Sequence, residues 1–450
     1  MHEKRRGFKF QTILIAALKV KILIALAIAL SLMGCSKKDS DKPSPPAVVL
    51  SLVNYAHLDY LFTPVHFESG IEAAGVYIYA ESPDYHLVAD ADEGFTCTDD
   101  VARAALVYLR SDSFALKEDT RNKTYLLLSF LIEMQASNGY FYNFLLPGDL
   151  INKYHANSVA GANWWSWRCF EALSEAAPMI RSSNPTLATR IDNAIQKMVT
   201  NIKTDLVTQV QSTKETNGFT VPEWLPLGSA SDQAATLLLG LINYCSHNED
   251  AVIENYITTI ADGIAMMQQG DVDHFPYGCF MSWENQWHAY GNEQAHALLK
   301  AGQFLDDNKY VEFAMAEING FYPWLIENGY KKAITFNKEN STVNMLSEQQ
   351  FDQIAYGVTP MVLAAAEAYR LTSDEKYAEI AGRIAAWYAG ANTAGLLMYS
   401  KDTGRSYDAL TSPSSVNNNS GAESTIEALL CLQIVEKYPS IKAAFNKYSK

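Results

Sequence analysis

The sequence is short of cations, of cysteine pairs and of long unbroken apolar runs, and each shortage excludes something. Its 35 Lys and Arg stand against 50 Asp and Glu, a formal charge of −15. Residues 1–34 hold six of those cations and one of the acids, so the remainder carries 29 against 49. A surface that acidic repels phosphate backbones, which argues against nucleic acid as a partner and for a neutral substrate or one held by individual Arg and Lys side chains. Among the six cysteines no two fall at metal-ligand spacing. His-Glu-x-x-His is absent, and His288 and His296 stand two helical turns apart, so neither a metal nor a cofactor is expected. Pro/Ser/Gly-rich linkers are missing between residues 50 and 450, which makes that stretch one folded unit.

The most apolar stretch, residues 22–32, falls short of the roughly 20 residues a membrane span needs because Lys19 and Lys21 interrupt it. With Lys4, Arg5 and Arg6 before it and Leu32-Met33-Gly34-Cys35 after it, the segment has the layout of a bacterial lipoprotein leader. The sequence thus predicts a signal peptide over 1–34, lipidation at Cys35, a solvated tether over 35–47 and a folded domain over 48–450. The expected location is the bacterial cell envelope, with the membrane reached through the lipid alone. Five cysteines remain after Cys35, an odd number, so at least one is free, and burial as a small apolar side chain is the expectation for most.

What the chain does have is a recurring entrance. In residues 93–105 a loop runs through Thr98, Asp99 and Asp100 into a helix that is apolar almost all round from Val101 to Leu109. Thr98 suits the N-cap, and acids suit the positive end of the helix dipole. The two acids either cap the helix and pair with Arg103 at i+4 and i+3, or stand as carboxylates at a cavity floor. Similar entrances recur near Thr98, Ala160, Ala230, Tyr290, Asp352 and Ser420, at intervals of 62, 70, 60, 62 and 68 residues. Each interval fits a buried helix, a turn, a more amphipathic helix running back and a long loop. Six such hairpins with the first helix of each inside predict an all-α (α/α)6 toroid with all six entrances on one rim. A short strand-like pattern at 75–80, a helix within 48–61 and a return helix over about 119–134 complete the expectation.

The other entrances supply candidate ligand contacts. The second holds Trp164, Trp165 and Trp167, which cannot share one helix face, so one or two belong to the core and the other can stack on a sugar ring while Arg168 meets a carboxylate or hydroxyl. Glu223 and Trp224 precede the third, where Ser231 or Asp232 can cap. The fourth gathers Trp283, Glu284, Trp287, His288, Tyr290 and Glu293, with His288 placed at i+4 from Glu284, so that the carboxylate can orient the imidazole. The fifth runs from Glu348 through Asp352 to Tyr356, and the sixth carries Glu423 in its first turn. The aromatic loop 135–158 is long enough to imply a lid or a ligand contact.

Several of these segments form a pattern: Thr98-Asp99-Asp100-x-Ala102-Arg103-Ala104, residues 291–302, Glu348 to Asp352 before an Ala-rich helix, and Asp402-Thr403-Gly404 with Tyr407-Asp408 ahead of Gly421-Ala422-Glu423-Ser424-Thr425. In this order they resemble an α/α-toroid family of bacterial proteins found in carbohydrate gene contexts, sometimes fused to glycosyltransferase domains. The resemblance covers about residues 92–435 and implies the toroid fold and sugar-related work. Trp164 to Arg168 replaces the smaller Gly-Arg-containing entrance expected of that family.

A rim lined with Asp, Glu, Trp and Tyr offers an acid, a base and stacking surfaces, the requirements of glycoside hydrolysis. Asp99 or Asp100 is the expected first carboxylate and Glu423 the second, with Asp352 and Glu223 in reserve. The alternatives are a polysaccharide lyase or sugar epimerase using His288 or a Tyr as base, with Arg168 neutralising a uronate, and a surface lipoprotein that binds glycans without chemistry. An oligo- or polysaccharide is the expected partner in every case.

Overall fold

Six helices buried on nearly every side alternate with six that bury one face, in the structure described over residues 51–450, a computed structural model. The leader, Cys35, the tether and residues 48–50 lie outside the described residues. The buried set is α1 (Thr98–Leu109), α3 (Trp164–Ile180), α5 (Ser231–Cys245), α7 (Gln294–Leu305), α9 (Thr359–Thr372) and α11 (Ala422–Lys437). Each is followed by its more exposed partner: α2 (Glu118–Glu133), α4 (Pro185–Asn201), α6 (Ala251–Met266), α8 (Asn308–Asn319), α10 (Glu375–Ala385) and α12 (Pro439–Tyr448). In α1 every residue but Asp99 is buried, whereas α10 buries Tyr377, Ala378, Ala381, Gly382, Ile384 and Ala385, the stripe of an amphipathic helix.

The packing order closes a ring. Helix α1 packs on α3, α3 on α5, α5 on α7, α7 on α9, α9 on α11, and α11 returns to α1, while each outer helix lies on its own inner partner. This is the (α/α)6 toroid. Small residues set the inner spacing: a Cβ on Gly240 of α5 would sit 2.6 Å from the Phe170 ring on α3. At the seam, Gln433 Nε2 of α11 donates to the Val107 carbonyl of α1 at 2.8 Å.

The structure is less purely helical than the sequence suggests, because the loops leading into the inner helices satisfy their backbone groups by pairing with one another. Strand Ala333–Glu339 pairs with Thr342–Gln349 on one edge and with Gln286–His288 on the other, with a bulge between Thr335 and Phe336. Near the start of the described residues the helix is only Ala56–Leu61, and the chain continues as strand Phe62–His66, where β-branched Thr63 and Val65 flank Pro64. Strands Glu72–Val76 and Tyr79–Glu81 occupy the predicted strand region. All five described cysteines are buried and free. Among the described residues no helix is long and apolar enough to cross a membrane.

Candidate functional site

The inner helices all begin at one rim, and there the first and last of them share one guanidinium. Arg103, on the second turn of α1, is 4 % exposed. Its Nη2 lies 2.9 Å from Asp99, 2.7 Å from Asp100 and 3.3 Å from Glu423, and its Nη1 lies 2.8 Å from Glu427. Asp99, Asp100 and Glu423 thus converge as ring closure requires. Asp99 and Asp100 also make the i+4 and i+3 pairs with Arg103 that local helix geometry allows, so local pairing and convergence with Glu423 coexist.

Exposure separates these acids. The Asp100 side chain is buried, that of Asp99 is 21 % exposed and that of Glu423 44 %. Burial pushes the Asp100 carboxyl up to about 7 against the pull of Arg103, and the charges of Asp99 and Glu423 add to the rise. Burial likewise raises Glu427, with Arg103 and Arg168 opposing. The cap of α1 is Cys97, whose Sγ accepts from Asp100 N at 3.4 Å, and Thr98, the expected cap, is the first helical residue. Its hydroxyl instead donates to the Tyr142 carbonyl at 2.8 Å, tying the helix mouth to the aromatic loop.

Arg168 meets a carboxylate, and that carboxylate is the protein's own: its Nε lies 3.1 Å from Asp99. The ring of Tyr356 faces both arginines, 4.7 Å from the Arg168 guanidinium and 5.2 Å from that of Arg103, and its hydroxyl bonds to Arg168. Tyr356 reaches this position from a 3-10 turn, Ala355–Gly357, that precedes α9. The Trp164 ring also faces Arg168, at 5.9 Å, and is partly exposed, while Trp165 and Trp167 are buried. Trp165 donates from Nε1 to the Phe141 carbonyl at 2.7 Å. Gly291 lets this stack form, since a Cβ there would come within 2.5 Å of Trp164 and 2.8 Å of the Tyr356 hydroxyl.

The entrance to α11 is fastened by an acid that links two segments of the sequence pattern. Asp408 Oδ1 accepts from Gly421 N at 3.0 Å and from the Ser424 hydroxyl at 2.8 Å. A Cβ at Gly421 would collide with the Ile78 carbonyl at 2.2 Å. These contacts hold Glu423 between Asp408 and Arg103.

His288 lies on a strand, where i+4 spacing has no meaning, and its partner is not Glu284. Its Nε2 lies 3.1 Å from buried Asp232, while Glu284 pairs with Lys214 at 2.6 Å. The other imidazole nitrogen, Nδ1, is buried without a hydrogen-bond partner. Nδ1 is thus closed to solvent, and Nε2 is engaged by Asp232. Tyr290 stands against the imidazole at 5.8 Å and is 39 % exposed; burial raises its hydroxyl, and the charges of Glu423 and Asp352 add to the effect.

The remaining candidates fall away from the cluster. Trp287 is buried edge-on against Phe321 at 5.2 Å, and Trp224 is buried with its Nε1 donating to Thr259 on outer helix α6, so neither offers a ring face to a ligand. Glu223 is exposed and accepts from Ser212 at 3.0 Å. Asp352 is exposed beside Lys332, 3.9 Å away. Trp283, 40 % exposed in the fourth entrance, is the aromatic surface there in place of Trp287.

No protein-family model matches the sequence, and no curated protein does. Solved structures do match. A cellobiose 2-epimerase from Bacillus thermoamylovorans B4167 aligns with TM-score 0.55 at 12 % identity, over 81 % of this chain and 92 % of its own. A sugar epimerase from a ruminal bacterium aligns with TM-score 0.54 at 12 % identity, over 81 % and 92 %, and a D-mannose isomerase with TM-score 0.52 at 12 % identity, over 83 % and 94 %. At such identities the likeness is one of architecture: this chain shares the closed six-hairpin ring of those sugar-converting enzymes.

Proposed function

We propose that the rim at the inner-helix N-termini is the active site of a glycoside hydrolase, with Asp99 and Glu423 as its two carboxylates. The observation that carries this is their convergence, from opposite ends of the chain, on one nitrogen of Arg103 while both keep access to solvent. Because both lie within 3.3 Å of Nη2, these oxygens cannot be as far apart as the roughly 6.5–9.5 Å of inverting pairs, which favours the retaining arrangement. Asp99, held by Arg103 and Arg168, is the fixed group and suits attack on the anomeric carbon. Glu423, with one arginine contact and the greater exposure, donates its proton to the departing glycosidic oxygen as that C–O bond breaks. Glu423 then takes a proton from the water that cleaves the glycosyl–Asp99 ester, which restores both side chains. Asp100 is too buried to touch a sugar and acts through Arg103 as a positioning residue. Trp164, Trp283 and Tyr290 provide stacking faces.

A lyase or epimerase based on His288 is disfavoured because Asp232 occupies one of its nitrogens and the other is buried. The test is release of reducing ends from a panel of neutral oligosaccharides. Asp99→Asn and Glu423→Gln are each expected to lower turnover by several orders of magnitude. Normal turnover in both variants would sink the assignment, retention of a glycan without turnover would make the rim a binding surface, and new absorbance from unsaturated uronates would indicate a lyase. We also propose that Cys35 tethers the domain to the envelope; Cys35→Ala should leave a soluble or an unprocessed product, and equally firm membrane retention after leader cleavage would overturn this.

A further inference from the structure

The aromatic loop that leads into α3 has no part in the chemistry proposed above, and one of its side chains lies almost wholly in water: Tyr154 is 92 % exposed. Among the described residues five aromatic side chains are exposed, Tyr60, Tyr154, Trp283, Tyr290 and Phe313. Tyr60 bonds through its hydroxyl to the Tyr85 carbonyl, and Phe313 lies on outer helix α8. The other three stand on loops that enter inner helices. Single exposed apolar side chains need no explanation, but their concentration at one mouth does.

Tyr154 is presented by a fixed turn. Asn152 Oδ1 accepts from the Tyr154 and His155 amides at 3.2 and 3.1 Å, the Ser158 hydroxyl donates to the Asn152 carbonyl at 2.6 Å, and the His155 ring packs on Phe144 at 5.2 Å. Buried Ser158 also accepts from the Asn143 amide at 3.0 Å, and Asn143 Oδ1 accepts from the Asp99 amide at 3.1 Å. These bonds join the base of the turn to the first turn of α1, beside the carboxylate pair. Folding has ordered the backbone and left the ring in water, so a ligand that covers it meets a rigid surface at little cost in conformational entropy.

Trp283 is held in a similar way elsewhere on the mouth. Its amide and carbonyl pair with Gln286 at 3.2 and 2.9 Å, the Ser282 carbonyl accepts from the Ser231 amide at 2.9 Å, and the Glu284 amide donates to Ser229 at 3.1 Å. Trp283 therefore stands where the loop into α7 meets the start of α5. In the packing order of the ring, the junction of α5 with α7 is the one opposite the junction of α11 with α1, where Asp99 and Glu423 meet. With neighbouring axes about 8–10 Å apart, opposite junctions of such a ring stand about 15 Å apart, so a single sugar ring at the carboxylates does not reach Trp283.

We propose that Tyr154 and Trp283 are outer subsites, each stacking on a sugar ring beyond the one at the carboxylates, and that the substrate is a glycan chain rather than a disaccharide. A sugar ring offers C–H groups on its face and hydroxyls at its edge, which suits a solvated aromatic plane. The substrate length rests on the hydrolase reading, because it is counted from Asp99 and Glu423. The binding of a chain by the two rings does not.

The test is calorimetric titration of the full chain carrying Asp99→Asn, so that nothing is consumed, with mixed-linkage β-glucan, α-mannan and polygalacturonate, each beside its own disaccharide. At least one polymer is expected to bind about tenfold or more tighter than its disaccharide. Adding Tyr154→Ala or Trp283→Ala should weaken binding of that polymer about tenfold and leave the disaccharide within about twofold. Both positions are exposed, so neither change should shift the melting temperature by more than a few degrees. The proposal is overturned if no polymer binds, if either added variant binds the polymer as its background does, or if polymer and disaccharide weaken together, which would move the two rings into the cleavage pocket. Polymer binding that needs both rings, with no turnover by the parent, would leave the subsites standing and remove the hydrolase reading instead.

Discussion

Arg103 carries more of this structure than any other single side chain, because one buried guanidinium faces four acids from two helices. Removing it leaves Asp100 and Glu427 buried without a cation, the situation in which a broken buried pair is most costly. Arg103→Met is therefore expected to lose about 3–5 kcal/mol in urea unfolding. Arg103→Lys should recover only part of this, since an ammonium cannot reproduce a planar fork of donors. Glu423→Gln, at a position 44 % exposed, should change stability by no more than about 1 kcal/mol, so that its loss of turnover cannot be ascribed to unfolding. At this scale the sequence revealed the acids but not the arginine's reach: Asp99, Asp100 and Arg103 are legible as i+3 and i+4 neighbours, whereas Glu427 lies one turn inside an apolar helix and has no local partner. The i+4 spacing of Glu284 and His288 implies a pair only on a helix, and His288 lies on a strand facing Asp232.

Among the elements, the inner helices are held at spacings that only small residues permit. Gly240 in α5 shows this most clearly, because intrinsic helix preference and packing make opposite predictions there. Replacing a helical glycine by alanine gains up to about 1 kcal/mol of helix propensity. Against this, the new methyl would lie 2.6 Å from the Phe170 ring and 3.2 Å from the Glu171 amide. Overpacking of that kind costs about 1–3 kcal/mol, so Gly240→Ala is expected to lower the urea midpoint, and a raised midpoint would show that α3 and α5 have slack between them. The six inner helices were legible because each is apolar nearly all round, and five of the six start within four residues of the entrance expected. The fifth begins later, at Thr359, because the 3-10 turn carrying Tyr356 intervenes after Asp352. The strands of the rim were mostly missed, since their alternation is short and one edge is solvated.

The whole molecule stores several carboxyls in unfavourable surroundings, which ties its stability to pH. Glu317 is buried with the Phe280 amide as a partner at 3.0 Å, and burial pushes it from an ordinary 4.5 up to about 8. Between those values the native chain holds a proton that the unfolded chain has lost, so this contribution to stability is complete below pH 4.5 and fades as pH rises through 8. Asp100 and Glu171 act in the same direction, with values raised to about 7 and 8. Glu175 and Glu367 are lowered, so their contribution is already complete above the ordinary glutamate range and adds no slope there. Melting curves from pH 5 to 8 should thus decline less steeply for Glu317→Gln than for the parent, and equal slopes would show that Glu317 is ionised at no cost.

The seam between α11 and α1 also sets a rule for how the molecule is made. A ribosome that has delivered five hairpins has released an α1 whose Arg103 lacks Glu423 and Glu427, and whose flank against α11 is uncovered. Until the last hairpin emerges, that flank is an apolar surface open to chaperones and proteases. A chain stopped before residue 422 is accordingly expected to be cut by added protease faster than the full chain, and equal rates would show that five hairpins close without the sixth.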